Sequence, residues 1–181
     1  MKNELKEFIE YNGPKKDVGV IVGVVLAIGG VYLFFYISLL YGVIGALAGI
    51  GIVIASIMEK KRYDKHLDEL KKSGEISLLM SDFRGGSKAF KDRLILGQNF
   101  LIGKETAVFL RYDEIAQIYQ TIHRTNFVED SRTITVITTE GKHKELCILQ
   151  MWGKSNDELN QVFGYIASRN PSVKVGYNGN N

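Results

Sequence analysis

Between Asp17 and Glu59 the chain runs for 41 residues, Val18 to Met58, without one charged side chain. A helix rises about 1.5 Å per residue and a bilayer core is about 30 Å thick, so a run of this length suits two crossings. The expected spans are Val18 to Ile37 and Leu40 to Met58, with Ser38 and Leu39 in a tight turn. Tyr32, Tyr36 and Tyr41 stand close to that turn, where an aromatic ring with one polar end favours the membrane boundary. The reading is a transmembrane helical hairpin over residues 18–58, which leaves residues 1–17 as a separate N-terminal segment.

Two spans put both ends on one side, and the basic residues mark that side as cytoplasmic. Lys15 and Lys16 precede the first span, Lys60, Lys61, Arg62 and Lys65 follow the second, and the turn carries none. A cleaved signal peptide does not fit, because Glu4, Glu7, Glu10 and Asp17 precede the apolar run and the run is too long. Cys147 is the only cysteine, so no internal disulfide forms and a reducing compartment is compatible. The expected location is the cell membrane with both termini cytoplasmic. A net charge of +3 over 181 residues excludes a strongly basic nucleic-acid binder.

Small residues let membrane helices approach closely, and both spans are rich in them. Gly19 and Gly23 with Ala27 make one stripe and Gly45 with Gly49 another. They pack either within the hairpin or between copies, so the partners implied are membrane lipids and either a second copy or other membrane proteins. A channel or transporter needs polar or ionisable groups inside the bilayer, and apart from Ser38, Ser56 and three tyrosines the run has none.

Residues 59–74 read as a juxtamembrane helix with Tyr63, Leu67 and Leu70 on one face and Gly74 as its stop. Lys60, Lys61, Arg62 and Lys65 on this helix are candidate contacts for anionic lipid head groups; the other reading is a topology signal on a solvated helix. From Arg93 the pattern changes to short apolar runs between turn residues, which predicts antiparallel strands over 93–96, 100–103, 108–112, 115–124, 132–139 and 144–149. Gly97-Gln98-Asn99 and Glu140-Gly141 read as hairpin connections, and Asn126 to Ser131 as a polar turn. A last helix opens with the capping box Ser155-x-x-Glu158, carries Leu159, Val162, Phe163 and Ile166 as its apolar stripe, and stops at Asn170-Pro171. The tail from Gly176 is polar and glycine-rich.

Arg93-Leu-Ile-Leu-Gly97 followed by Phe100-Leu-Ile-Gly103, then Tyr112-Asp-Glu-Ile115 leading to Ile118-Tyr119, and finally Arg169-Asn-Pro171 to Gly176-Tyr177, carry a resemblance. Residues 75–177 resemble the pleckstrin-homology-like (PH-like) domains of uncharacterised bacterial membrane-anchored proteins. The resemblance implies a partly closed barrel of strands with the final helix across one opening, an α+β chain overall, and a scaffold or interaction role. Relatives of that fold often read phosphoinositides through Lys and Arg in the loop joining the first two strands. Here that loop reads as Gly97-Gln98-Asn99, with no basic residue, so the function is not carried over.

No motif completes a catalytic site. Gly97 to Glu105 has one residue too many for a phosphate loop and lacks the Ser or Thr that would hold magnesium. Gly85-Gly86-Ser87-Lys88 reads as a flexible connector. His66, His123 and His143 do not reach metal spacing with Cys147; His143 and Cys147 fall on one strand face about 13 Å apart at the usual rise. Asp113-Glu114 and Glu129-Asp130 are solvated turn acids, and Trp152 is either a plug for the barrel end or a partner contact. No cofactor is implied. The function expected is a non-enzymatic, membrane-anchored interaction or scaffold module, the alternative a sensor of anionic head groups at the inner face of the membrane.

Overall fold

The structure is a computed structural model and describes residues 2–14, 16–36, 38–125, 128–150 and 156–176. The chain divides into two compact units, one made of Met1–Gly13 with Glu75–Asn181 and the other of Pro14–Gly74. The first unit is therefore discontinuous in sequence, and residues 1–13 belong to the same folded body as the C-terminal part.

The Pro14–Gly74 unit holds α2 (Lys16–Tyr36) and α3 (Leu39–Ser73). Side chains that are apolar on every face, with no proline inside either run, favour helix in any setting that withholds water. Among the described residues, α3 alone is long and apolar enough to cross a membrane; the apolar part of α2 is the shorter stretch Gly19–Phe35. α3 continues unbroken through Glu59 to Ser73, as the periodicity of that segment predicts, and Tyr63, Leu67 and Leu70 on it are buried. Gly74 ends it in the left-handed region at φ 79°, donating its N–H to the Lys71 carbonyl, a conformation in which a Cβ is disfavoured.

The other unit opens with α1 (Lys2–Asn12) and resumes with α4 (Ile76–Gly85). Then come β1 (Ser87–Ala89), β2 (Leu94–Leu96), β3 (Phe100–Gly103) and β4 (Phe109–Arg111), an antiparallel four-stranded meander. A 3-10 turn, Tyr112–Glu114, leads into β5 (Ile115–Thr125), β6 (Val128–Thr138) and β7 (His143–Gln150). After α5 (Asn156–Arg169) a two-residue strand, β8 (Lys174–Val175), lies parallel to β5, so the second sheet has the order β7-β6-β5-β8. Leu94, Leu101, Leu110, Ile118, Ile134, Val136 and Leu146 of the two sheets form one core, closed by Leu159, Val162 and Ile166 of α5. The apolar stripe read for the last helix is the face that packs here.

Fold class α+β, with a long apolar helix and two sheets, is what the structure shows; a closed barrel is not. The sheets approach so closely at β3 and β7 that a Cβ on Gly103 would collide with the Leu146 carbonyl oxygen, yet they remain separate ladders. The Arg93 guanidinium donates to the Ile148 carbonyl of β7. Several elements differ from the sequence expectation, among them residues 128–131, read as part of a polar turn with the acids Glu129 and Asp130, which are the start of β6 paired with β5. Gly85 to Lys88 is not a free connector, since Ser87 and Lys88 pair with Leu96 and Ile95 as β1. An irregularity between Ile134 and Thr135 turns His143 and Cys147 to opposite faces of β7: Cys147 joins the core, and His143 lies where its Nδ1 meets the Tyr119 hydroxyl at 3.1 Å. Ile122, expected on the buried face of β5, is exposed because the β5–β6 pair outruns the core. Trp152, the cap residue Ser155, residues 126–127 of the polar turn and the tail from Tyr177 lie outside the described residues.

Candidate functional site

The small residues singled out in the apolar run meet one another. Added to Gly23, a Cβ would stand 2.7 Å from Val53 Cγ2 and 2.8 Å from the Gly49 carbonyl oxygen; added to Gly49, 2.5 Å from the Ala27 nitrogen and from the Gly23 carbonyl oxygen. A Cβ on Gly19 would collide with Ser56 Oγ, and Gly45 faces Gly30 Cα at 3.1 Å from its would-be Cβ. These pairings run in opposite directions along the two helices, so α2 and α3 are antiparallel, and Gly19, Gly23, Gly45 and Gly49 are used between them. Gly29 and Gly51 face open space.

Past Met58, Lys61, Arg62 and Lys65 are exposed and Lys60 is half-buried. Lys65 stands 3.7 Å from Glu69 and Lys71 2.9 Å from Asp68, both at helical spacing on exposed faces, where such pairs contribute little. The four candidate lipid contacts lie on one stretch of α3, the first three of them within four residues of Met58.

The most developed polar and aromatic constellation was not legible in the sequence: the seat of α1 on its own unit. Phe8 is fully buried, its ring edge-on to Phe83 of α4 at 5.4 Å and to Phe109 of β4 at 5.7 Å. Asn12, also fully buried, donates from Nδ2 to the carbonyls of Gly103 (2.6 Å) and Val108 (2.9 Å). In return the Glu105 and Ala107 N–H groups donate to the Tyr11 and Asn12 carbonyls, each at 2.8 Å. Tyr11 donates its hydroxyl to the Asp92 carbonyl at 2.7 Å, burial pushing its ionisation above the ordinary tyrosine range, and Glu4 pairs with Arg84. The last turn of α1 therefore completes the β3–β4 connection, whose Glu105 and Ala107 hold positive φ of 58° and 55°.

Two turns of the first sheet are held by side chains from afar. Asp82 of α4, buried, accepts the N–H groups of Asn99 (2.6 Å) and Phe100 (2.8 Å), and Tyr112 and Tyr165 each donate to the Gly97 carbonyl at 2.9 Å. Gly97 is required here, because a Cβ would sit 2.5–2.6 Å from the Asp82 side chain. Asp82 thus occupies the Asn99 and Phe100 N–H groups of this turn, and the Gly97 N–H donates to the Phe100 carbonyl. This turn is not the loop joining the first two strands: with β1 present, that loop is Phe90-Lys91-Asp92-Arg93. Phe90, Lys91 and Asp92 there take φ of 53°, 56° and 63°, a run that costs non-glycine residues on the order of 1–3 kcal/mol each. Glu158 of α5 accepts the Phe90 N–H at 2.7 Å and Lys88 reaches Asp92 at 3.3 Å, which helps to hold it.

Among the described residues no group of three His, Cys, Asp or Glu could hold a metal. Burial pushes the Cys147 thiol up to about 12, and the nearby Arg93 only partly offsets this, so it is a poor nucleophile. His123 Nε2 meets Thr133 Oγ1 at 3.0 Å on the outer face of the second sheet, far along β5 from Tyr119 and His143. Asp113 is tied to Arg111 at 3.2 Å, and Glu114 accepts the Arg111 N–H at 2.8 Å, turn roles in both cases. No protein family, curated protein or solved structure matches the chain.

Proposed function

We propose that the protein is a membrane-anchored interaction module: α2 and α3 cross the bilayer as a hairpin, and the α1–sheet–α5 unit works at the cytoplasmic face by binding proteins or its own copies, without catalysis. One observation carries the anchoring. Ile21, Val25, Ile28, Phe35, Leu40, Ile44 and Leu47, with many neighbours, are exposed on helices that have no charged residue over 41 positions. An apolar surface of that extent is stable in lipid and not in water. The glycine seam supports pairing of the two helices with each other, and the basic residues at the ends of the pair support a cytoplasmic placement for both.

A PH-like reading of the other unit is supported by two sheets, antiparallel except for the short β8, that share one core closed by the C-terminal helix. What supports the interaction role is that the buried polar side chains Asp82, Asn12 and Tyr112 are spent on holding turns, which leaves the surface of the unit as its working part. Lysine-reactive cross-linking of the full chain in its native membrane tests it. Discrete cross-linked species containing a second copy or another protein are expected, and a chain that stays monomeric at every cross-linker length contradicts the proposal.

One observation favours the alternative, a sensor of anionic head groups. The loop that truly joins the first two strands carries Lys91 and Arg93, with Lys88 just before it. Lys88 is paired with Asp92 and Arg93 with a carbonyl, so Lys91 is the one of these three with no such engagement among the described residues. Retention of anionic lipid by the purified full chain, lost in Lys91→Glu and in Lys61→Glu/Arg62→Glu, would move this reading ahead.

A further inference from the structure

The two ends of the apolar pair carry unequal orientation signals. Lys60, Lys61, Arg62 and Lys65 stand on α3 just past its apolar run, whereas only Lys15 and Lys16 lie close before the apolar run of α2. Lys and Arg near a span set its orientation, so the start of α2 is the less firmly placed end. It is also the end that α1 joins through Gly13 and Pro14. Every partner of α1 named above, Phe83, Arg84, Asp92, Gly103, Glu105, Ala107, Val108 and Phe109, lies after α3 in the chain. α1 is thus synthesised before the apolar pair but docks only after the pair has been placed.

Taking the membrane reading above as its basis, we infer that α1 is a topology latch. Its docking requires an even number of crossings between Pro14 and Gly74, and holds the start of α2 on the face where the folded unit stands. A chain that crosses once, through α3 alone or α2 alone, leaves α1 and residues 75–181 on opposite faces. Phe83 and Phe109 then lose the Phe8 ring, and the β3–β4 connection loses four hydrogen bonds. Such a chain is the less stable product, because buried apolar surface and buried backbone groups are left unpartnered.

The test uses the full chain in intact cells, with Cys147→Ala to remove the native thiol. Glu4→Cys and Arg84→Cys, at the natural ion pair, should be joined by a short bis-maleimide within one chain, and a membrane-impermeant maleimide added outside should label neither. Phe8→Asp should raise outside labelling of a cysteine at position 4 at least tenfold, while a cysteine placed by Glu140→Cys stays shielded; Asn12→Ala, the milder lesion, should move labelling the same way by less. Absence of the cross-link, with both cysteines reached only after permeabilisation, overturns the docking while the membrane reading stands. Unchanged outside labelling in both variants overturns the latch. Outside labelling of position 4 but not of position 140 in the parent overturns the two-span reading, and the latch with it.

Discussion

Truncating Phe8 should undock α1 while leaving the second sheet intact. The ring is fully buried and edge-on to two others, and loss of such a ring to alanine costs about 3–5 kcal/mol. The Glu105 and Ala107 amides report the loss directly, since both donate to carbonyls of the last turn of α1. At about 1.4 kcal/mol per tenfold, Phe8→Ala should speed their hydrogen exchange roughly a hundred- to several-thousand-fold, up to the rate of a free loop. Amides of β6, central in the other sheet, should keep their protection. Exchange measured by mass spectrometry on a peptide covering 103–110, in the full chain in lipid nanodiscs, decides it. Unchanged protection at Glu105 and Ala107 would mean that Phe8 does not hold α1 in place, and equal loss in β6 that α1 supports the whole unit rather than one connection.

Asp82→Ala should leave the Asn99 and Phe100 N–H groups without their acceptor and cost about 2–4 kcal/mol, read as a lowered unfolding midpoint, whereas Asp82→Asn, which keeps one acceptor oxygen, should cost less. Gly49→Ala should separate α2 from α3, because its Cβ meets backbone atoms at 2.5 Å, while Gly51→Ala should be neutral; thermal unfolding of the pair in detergent distinguishes them. Cys147 should resist iodoacetamide in the native protein at pH 8 and react on denaturation, since burial raises its thiol to about 12. A folded-state value raised above the ordinary 9.0 also predicts a stability contribution that is whole below pH 9 and falls as pH climbs towards 12; a Cys147→Ala variant should show a flatter decline over that window.

Much of the architecture was legible because it rests on local pattern. The uncharged run, the helix through Ser73 and its glycine stop, and the apolar stripe of α5 each follow from spacing along one element. Strands β2 to β7 were legible to within a few residues at their ends for the same reason. What escaped is long-range. α1 carries a short apolar face, Leu5, Phe8 and Ile9 at helical spacing, but what that face seats against is not local, since the partners of Phe8 and Asn12 lie about a hundred residues away. α4 has no side-chain cap and no acid in its first turn, and the sequence cue that names its key residue, Asp82, is a lone carboxylate. β1 and β8 are three and two residues long, too short for alternation to register. Missing β1 shifted the identity of the first hairpin loop from Phe90–Arg93 to Gly97–Asn99, and with it the reason for setting aside an anion-binding role. The closed barrel failed for a related reason: closure depends on long-range pairing between β1–β4 and β5–β7, which no local pattern records, and the two remain separate ladders.

The central claim is that the apolar pair spans a membrane twice with both ends on its cytoplasmic side. Single cysteines introduced by Leu39→Cys at the start of α3, by Lys6→Cys on α1 and by Glu140→Cys between β6 and β7, all at exposed positions in a Cys147→Ala background, should be probed with an impermeant maleimide in intact cells. Labelling of position 39 from outside, with positions 6 and 140 reached only after permeabilisation, is the predicted result. Labelling of position 6 or 140 from outside, or release of the chain from membranes by alkaline carbonate, would contradict it.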